Sequence, residues 1–161
     1  MSDSLRTSPG GPRSAPPAAD GGRGPVVLAT LAVPFEPESA SVAFQAALET
    51  GARLIVVDVV EMPLWPLALS VGHADLELDE DRAEIRRLVG HAAALGIEVE
   101  HLRVRSPRPV RALLDVVVER SASLLVFGPD PRRLRPRLFA RIVRRVRRKV
   151  ACLLWVAGEG P

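Results

Sequence analysis

Short apolar runs alternate with amphipathic stretches along most of this chain. The apolar runs have the length of buried strands, and they occupy residues 26–33, 54–60, 97–104, 123–127 and 152–157. The third run alternates polar with apolar residues, which is typical of an edge strand with one face in water. Four stretches have the 3.6-residue period of amphipathic helices, and they occupy residues 39–50, 80–95, 109–120 and 136–149. Strands that alternate with helices predict an α/β fold, an open, doubly wound sheet of five parallel strands with about four helices.

Turn residues at the ends of these elements place the expected ligand crevice. Ser39 is a candidate N-cap for the first helix, and Gly51 is a candidate C-cap. In an open parallel sheet, ligands bind beyond the carboxyl ends of the strands, where the strand order reverses. The loops that follow Val33 and Gly128 are therefore expected to form this crevice.

Two stretches stand apart from the alternating pattern. Residues 1–25 consist largely of Pro, Gly, Ser and Ala without apolar periodicity, which predicts a disordered tail before a domain at residues 26–158. The connection at residues 61–79 is long and contains Trp65, so it is either a lid or interaction segment or a loop folded onto its own core.

The apolar content and the cysteine content of the chain indicate the cellular compartment in which it is expected. No apolar run is long enough to cross a bilayer, and the start of the chain lacks a secretory apolar segment, so a cytoplasmic protein without membrane insertion is expected. The single cysteine, Cys152, suits a reducing compartment.

Charge is divided unevenly along the chain. Residues 128–161 carry a net charge of +8, whereas residues 1–127 carry −5. The last helix holds a stripe of arginines at helical spacing, namely Arg137, Arg141, Arg144, Arg145 and Arg148. This stripe has three interpretations: it follows a nucleic-acid backbone, pairs with the acidic residues 75–84 of a second subunit, or faces water. No aromatic residues interleave with it, so base stacking is not indicated.

Catalytic chemistry has little support in the sequence. The three histidines are scattered, and no cluster of Cys, His and Asp has metal-ligand spacing. No serine has the glycine context of a nucleophile, and no acid–base pair is visible, so we do not expect an enzyme. Asp58, at the end of the second strand, is either a contact for a ribose hydroxyl or a polar strand end.

Residues at both ends of the pattern resemble the universal stress protein family over residues 26–157. The first helix ends in Gly51-Ala52-x-Leu54, Asp58-Val59 stands where that family has His-Val, and Ala151-Cys152 begins a similar closing strand. The resemblance implies the adenine nucleotide alpha hydrolase-like fold with sheet order 3-2-1-4-5. An apolar terminal strand needs a partner at its edge, and the family is commonly dimerised there. We therefore expect a homodimer formed through Leu153, Leu154, Trp155 and Val156.

The nucleotide signature of that family is only partly present. Its nucleotide-binding members carry Asp at the end of the first strand, where this chain has Leu31. After the fourth strand they carry glycine, two residues, glycine, nine residues, then glycine with serine or threonine. Gly128 matches the first glycine, Pro131 replaces the second, and the last pair falls near Ala140 and Arg141. The pocket positions implied by the resemblance are Leu31, Asp58, Val59, Gly128, Arg132 and Arg141.

Three functional hypotheses follow. The first is a non-enzymatic, dimeric regulatory protein of the stress response that acts through an unidentified protein partner and has no cofactor, because Pro129 and Pro131 remove N–H groups from the phosphate loop. The alternative is an ATP-binding stress protein in which Arg132 and Arg141 hold the phosphates by side chain. The second alternative is a basic RNA- or ribosome-associated stress factor.

Overall fold

A computed structural model describes residues 24–62 and 74–159 of the chain, with residues 74–81 described in their backbone only. Most of the predicted tail at residues 1–25 lies outside this part, as does the segment of the long connection that contains Trp65.

Strands and helices alternate as the pattern predicts. The strands are β1 (Val26–Thr30), β2 (Leu54–Glu61), β3 (Val99–Ser106), β4 (Leu124–Phe127) and β5 (Leu153–Val156). The helices are α1 (Pro37–Thr50), α2 (Ala74–Ala94), α3 (Pro109–Glu119) and α4 (Pro136–Lys149), with a 3₁₀ turn at Pro131–Arg133. The strands form one parallel sheet in the order β3-β2-β1-β4-β5, which confirms the predicted fold class and strand order.

Alternate residues of the central strands supply the two halves of the core. Val27, Ile55 and Leu125 face α3 and α4, whereas Leu28 and Val56 face α1 and α2. Strands buried on both faces are apolar throughout, which is why they read as continuous apolar runs in the sequence.

The start of α1 differs from the prediction. Its N-cap is Glu36, whose carboxylate accepts hydrogen bonds from the backbone N–H groups of Glu38 (2.9 Å) and Ser39 (3.2 Å). Pro37 occupies the first helical position, where its missing N–H has no cost. Ser39 is therefore not the N-cap; it lies inside the first turn and is fully buried.

The observed ends of other strands and helices also differ from the predicted ends by a few residues. α2 begins at Ala74 rather than near residue 80, because the acidic residues ahead of residue 80 are favourable at the positive end of a helix and contain no helix breaker. β1 ends at Thr30 rather than Val33, since Thr30 Oγ1 donates to the Val33 carbonyl (2.6 Å) and Ala32 has a φ of 50°. β3 is shifted two residues toward the C-terminus.

Candidate functional site

The loops after β1 and β4 meet at the predicted crevice. Phe35 and Pro129 form an isolated antiparallel bridge between them. The Glu36 N–H donates to the Gly128 carbonyl and the Asp130 N–H donates to the Pro34 carbonyl, both at 2.9 Å. These contacts bind the two loops to each other beyond the carboxyl ends of the central strands.

Gly128, the residue that matches the first glycine of the nucleotide signature, is in close contact with α1. A β-carbon at this position would overlap the β-carbon and hydroxyl of Ser39. The Ser39 hydroxyl donates to the Glu36 carbonyl (2.5 Å) and lies 3.5 Å from the Gly128 carbonyl oxygen. The structure therefore requires glycine here for packing of the helix against the strand end.

Within the described chain, the loop from residue 128 to residue 134 has no backbone N–H available for an anion. Pro129 and Pro131 have none, and each of the other five donates to an oxygen of the protein itself. These bonds join Gly128 to Ala29 (2.9 Å), Asp130 to Pro34 (2.9 Å), Arg132 to the Asp130 carboxylate (2.9 Å), Arg133 to Asp130 (3.1 Å) and Leu134 to Pro131 (3.4 Å).

The Asp130 carboxylate adds an electrostatic obstacle to phosphate at the same place. It caps the 3₁₀ turn by accepting from the Arg132 N–H, so a negative charge already occupies the position that faces this amide. A short polar side chain that accepts from the backbone two residues later is a frequent turn device, so Asp followed by Pro and Arg was a signal for it in the sequence.

An apolar cleft of about 250 Å³ lies between the ends of β1 and β2 and the helices α3 and α4. Leu31 and Val59, two of the predicted pocket positions, line it together with Val110, Leu138 and Ile142. Glu61 is a charged residue of its lining. This volume falls below the roughly 300–1,000 Å³ that is usual for a small-molecule site.

Asp58 lies on the opposite side of the sheet. Side chains alternate along a strand, so Asp58 shares the face of Val56 rather than that of Val59 and the cleft. It is 5% exposed, and its carboxylate oxygen lies 3.5 Å from Nε of Arg103, its register partner on β3. Asp58 therefore lies beside Arg103 and faces away from the cleft.

The two arginines predicted to hold phosphate lie apart from each other. Arg132 is exposed on the 3₁₀ turn, whereas Arg141 is exposed on α4 and lines a surface formed by basic residues. Of the six predicted pocket positions, the structure brings Leu31 and Val59 together in the cleft, and it places Gly128 and Asp58 toward the α1 and α2 face.

That basic surface is a groove between α4 and one side of α3, from Arg108 to Val118, which we call the basic groove. Three adjoining cavities of about 460, 330 and 540 Å³ make it up, and all three are lined by Arg145. Its cations are Arg108, Arg111, Arg141, Arg144, Arg145, Arg148 and Lys149. Arg137 continues the line toward the N-terminus of α4 and is exposed.

The outer edge of β5 has no partner among the described strands. The Leu153 N–H donates to the Ser123 carbonyl (3.2 Å) on the β4 side, so by alternation Leu154 and Val156 direct their backbone groups outward. The Val156 carbonyl already accepts from the Glu159 N–H (3.4 Å), which leaves the Val156 N–H and the Leu154 groups at the edge. Leu153 is 74% exposed and Trp155 is half-buried. The side chain of Val156 is buried within the subunit, so this residue can contribute only backbone groups to a dimer.

Titratable groups elsewhere do not form a reactive cluster in the described part of the chain. No group of three or more His, Cys, Asp or Glu residues there has the arrangement of a metal site. Burial lowers the pKa of His101, with the nearby Asp58 charge acting in the opposite direction. Burial likewise raises the pKa of the Cys152 thiol. None of the described helices is both long and apolar enough to cross a bilayer.

Comparison with known proteins bears directly on this architecture. The sequence model of the universal stress protein family matches residues 25–157. The chain belongs to this family. No curated protein matches its sequence.

Solved structures of universal stress proteins share the fold. One from Burkholderia pseudomallei is 23% identical, with a TM-score of 0.58 over 87% of this chain and 100% of that one. A universal stress protein in complex with cAMP is 22% identical, with a TM-score of 0.58 over 85% and 98% of the two chains. A universal stress protein from Archaeoglobus fulgidus in complex with dAMP is 20% identical, with a TM-score of 0.55 over 82% and 95%.

Proposed function

We propose that this chain is a non-enzymatic, regulatory member of the universal stress protein family that has lost the standard mode of ATP binding. It acts as a cytoplasmic homodimer through a protein partner. The observation that carries the loss of ATP binding is the complete use of backbone N–H groups between residues 128 and 134.

The physical reason lies in how a loop binds phosphate. Phosphate loops direct several free N–H groups at the anion, and they exclude side chains from its approach. Here two prolines remove donors, and the Asp130 carboxylate takes the Arg132 N–H. A triphosphate would have to displace an internal hydrogen bond and approach a fixed negative charge.

The lining of the apolar cleft also supports the loss of ATP binding, because it bears on how the adenine base and the ribose would be held. Leu31 stands where nucleotide-binding relatives carry Asp, and the side chains that line the cleft with it are apolar except for Glu61. A ribose hydroxyl placed against Leu31 itself would have no hydrogen-bond partner there, which costs free energy. Asp58 lies on the other face of the sheet and offers no replacement.

Dimerisation rests on the edge of β5. An unpaired apolar edge strand on a parallel sheet is an association surface, and pairing it with a second copy satisfies its outward N–H and C=O groups. Leu153 and Trp155 would then be covered by the partner.

Calorimetric titration of the nucleotide-stripped protein with ATP and Mg²⁺ tests the loss of binding. We expect no heat of binding above that of dilution, and no nucleotide in the extract of the purified protein. Micromolar affinity would overturn the proposal.

A second candidate function is nucleotide binding through arginine side chains. It is favoured by the start of α4, where no side chain caps the helix and the first-turn N–H groups of Arg137 and Leu138 have no intrahelical acceptor. Related structures in complex with cAMP and dAMP add to it. If ATP binds, loss of affinity in Arg141→Ala but not in the matched exposed variant Arg86→Ala would establish this function in place of the first.

A further inference from the structure

We propose that the basic groove binds the phosphate backbone of a nucleic-acid duplex without reading its base sequence. The inference goes beyond the proposed function and does not depend on it, because it concerns the surface between α4 and α3. The loss of ATP binding concerns the loop before α4.

The first observation that supports this proposal is the unpaired positive charge of the basic groove. Among the described side chains, no carboxylate lies within 4.0 Å of the α4 cations of the groove, and Arg111 alone has a partner, Asp115, at 3.9 Å. Arg147, on another side of α4, is paired with Glu159. The α4 cations of the groove therefore have no carboxylate partner, and Asp115 on α3, which is paired with Arg111, is the acidic side chain of the groove lining.

This arrangement is unfavourable for the isolated protein. Residues four apart on a helix are neighbours, so the pairs Arg137 with Arg141, Arg141 with Arg145, and Arg145 with Lys149 repel each other and destabilise α4. Features that lower stability without a packing benefit are characteristic of functional surfaces. A polyanion in the groove would remove the repulsion.

The dimensions of the groove suit an extended polyanion rather than a single phosphate. From Arg137 to Lys149 the helix is about 18 Å long, at ~1.5 Å per residue. A nucleic-acid duplex carries one phosphate charge per ~1.7 Å of its axis, so several phosphates lie within that length. The cations are exposed along an open groove, whereas a site for one small anion would enclose it with buried donors.

The side chains of the groove favour the phosphate backbone of a duplex, rather than a single strand, as the ligand. All the groove cations but Lys149 are arginines, whose planar guanidinium binds phosphate in bidentate fashion. Proteins that bind single strands stack the bases on exposed aromatic rings. The aromatic residue of α4, Phe139, is half-buried and stacks on Phe127 in the core, with 6.4 Å between ring centroids. The groove thus offers charge without a stacking platform.

Fluorescence anisotropy of a labelled DNA duplex of about 20 base pairs tests the proposal, with the full chain titrated at several salt concentrations. If four phosphates are contacted, the affinity should fall about 100-fold between 50 and 200 mM salt. A second duplex of unrelated sequence should bind with the same affinity. The variant Arg141→Gln/Arg145→Gln should bind about 10-fold more weakly, and its salt slope should decrease by about 2.

The matched control is Arg86→Gln/Arg87→Gln, which removes two exposed arginines from α2 on the other face of the sheet. It should keep the wild-type affinity and slope. A wild-type dissociation constant weaker than about 10⁻⁴ M at 50 mM salt would overturn the proposal. Equal losses in the two double variants would also overturn it, since net charge rather than the groove would then explain binding. Because the Gln substitutions in α4 reduce like-charge repulsion, the variant should unfold at the wild-type temperature or above it.

Discussion

The hydroxyl of Ser39, in the first turn of α1, lies against the α-carbon of Gly128 at the end of β4, two residues separated by 89 positions in sequence. This contact leaves no room for a β-carbon between the first turn of α1 and the end of β4. It gives Gly128 a structural role that is independent of any ligand.

Substituting Gly128→Ala should therefore destabilise the fold. The new β-carbon would overlap both the β-carbon and the hydroxyl of Ser39, and overpacking of this kind costs about 1–3 kcal/mol. Denaturant unfolding followed by circular dichroism measures the change in the free energy of unfolding. The control is Gly90→Ala on the exposed face of α2, where a β-carbon meets nothing within 4 Å and the change should stabilise by about 0.5–1 kcal/mol. Wild-type stability of Gly128→Ala would contradict the assigned contact.

Restoring the missing elements of the phosphate loop should create nucleotide affinity. The triple variant Leu31→Asp/Asp130→Gly/Pro131→Gly regains a carboxylate in the cleft, frees the Arg132 N–H and adds one at position 131. We expect calorimetric binding of ATP with a dissociation constant of about 10⁻³ M or tighter, against none in the wild type.

Leu31→Asp alone is the control for this gain. It introduces the carboxylate but leaves the loop N–H groups bonded as before, so it should show no binding. If this single variant binds ATP as well as the triple variant, the internal hydrogen bonds of the loop are not what prevents binding.

An aspartate at the edge of β5 should disrupt the proposed dimer. Leu153 is 74% exposed, so Leu153→Asp leaves the subunit core intact while placing two carboxylates in the interface. The dissociation constant should rise by at least about 10-fold, the equivalent of ~1.4 kcal/mol, because an unpaired charge would be buried. Light scattering at several concentrations measures it. Val118→Asp on α3, 68% exposed, is the matched control and should remain dimeric. A monomeric wild type would remove the basis of the prediction.

The pH dependence of Cys152 alkylation should show a raised pKa of the Cys152 thiol. Burial disfavours the thiolate and raises the pKa of this thiol above its ordinary value of 9.0, so the reactive form is scarcer at neutral pH than in an exposed cysteine. The pH midpoint of the reaction rate with iodoacetamide should therefore be higher in the folded protein than in urea. Steric protection alone would slow the reaction but leave the midpoint unchanged, which separates the two causes. A folded-state midpoint at or below the midpoint in urea would contradict the upward shift of the pKa.

The candidate site could be predicted only in part because its chemistry depends on contacts between distant segments. The sequence itself showed that Pro129 and Pro131 remove two backbone N–H donors from the loop after β4. It also showed that Leu31 replaces the carboxylate that nucleotide-binding members carry after β1. The acceptor for the Asp130 N–H, by contrast, is the Pro34 carbonyl, almost a hundred residues away. Glu36 was missed as the N-cap of α1 because glutamate is an uncommon cap, although Pro37 after it is a usual first helical residue.

The sequence by itself determined the parallel sheet, its alternation with helices and the bounds of α4, because the periods of apolar residues follow directly from the local geometry of strands and helices. It also determined the arginine stripe. Only the tertiary structure decided that Gly128 is used for packing against Ser39 and that the loop N–H groups are all occupied. Those outcomes depend on which remote residue meets each loop, and local periodicity carries no information about that.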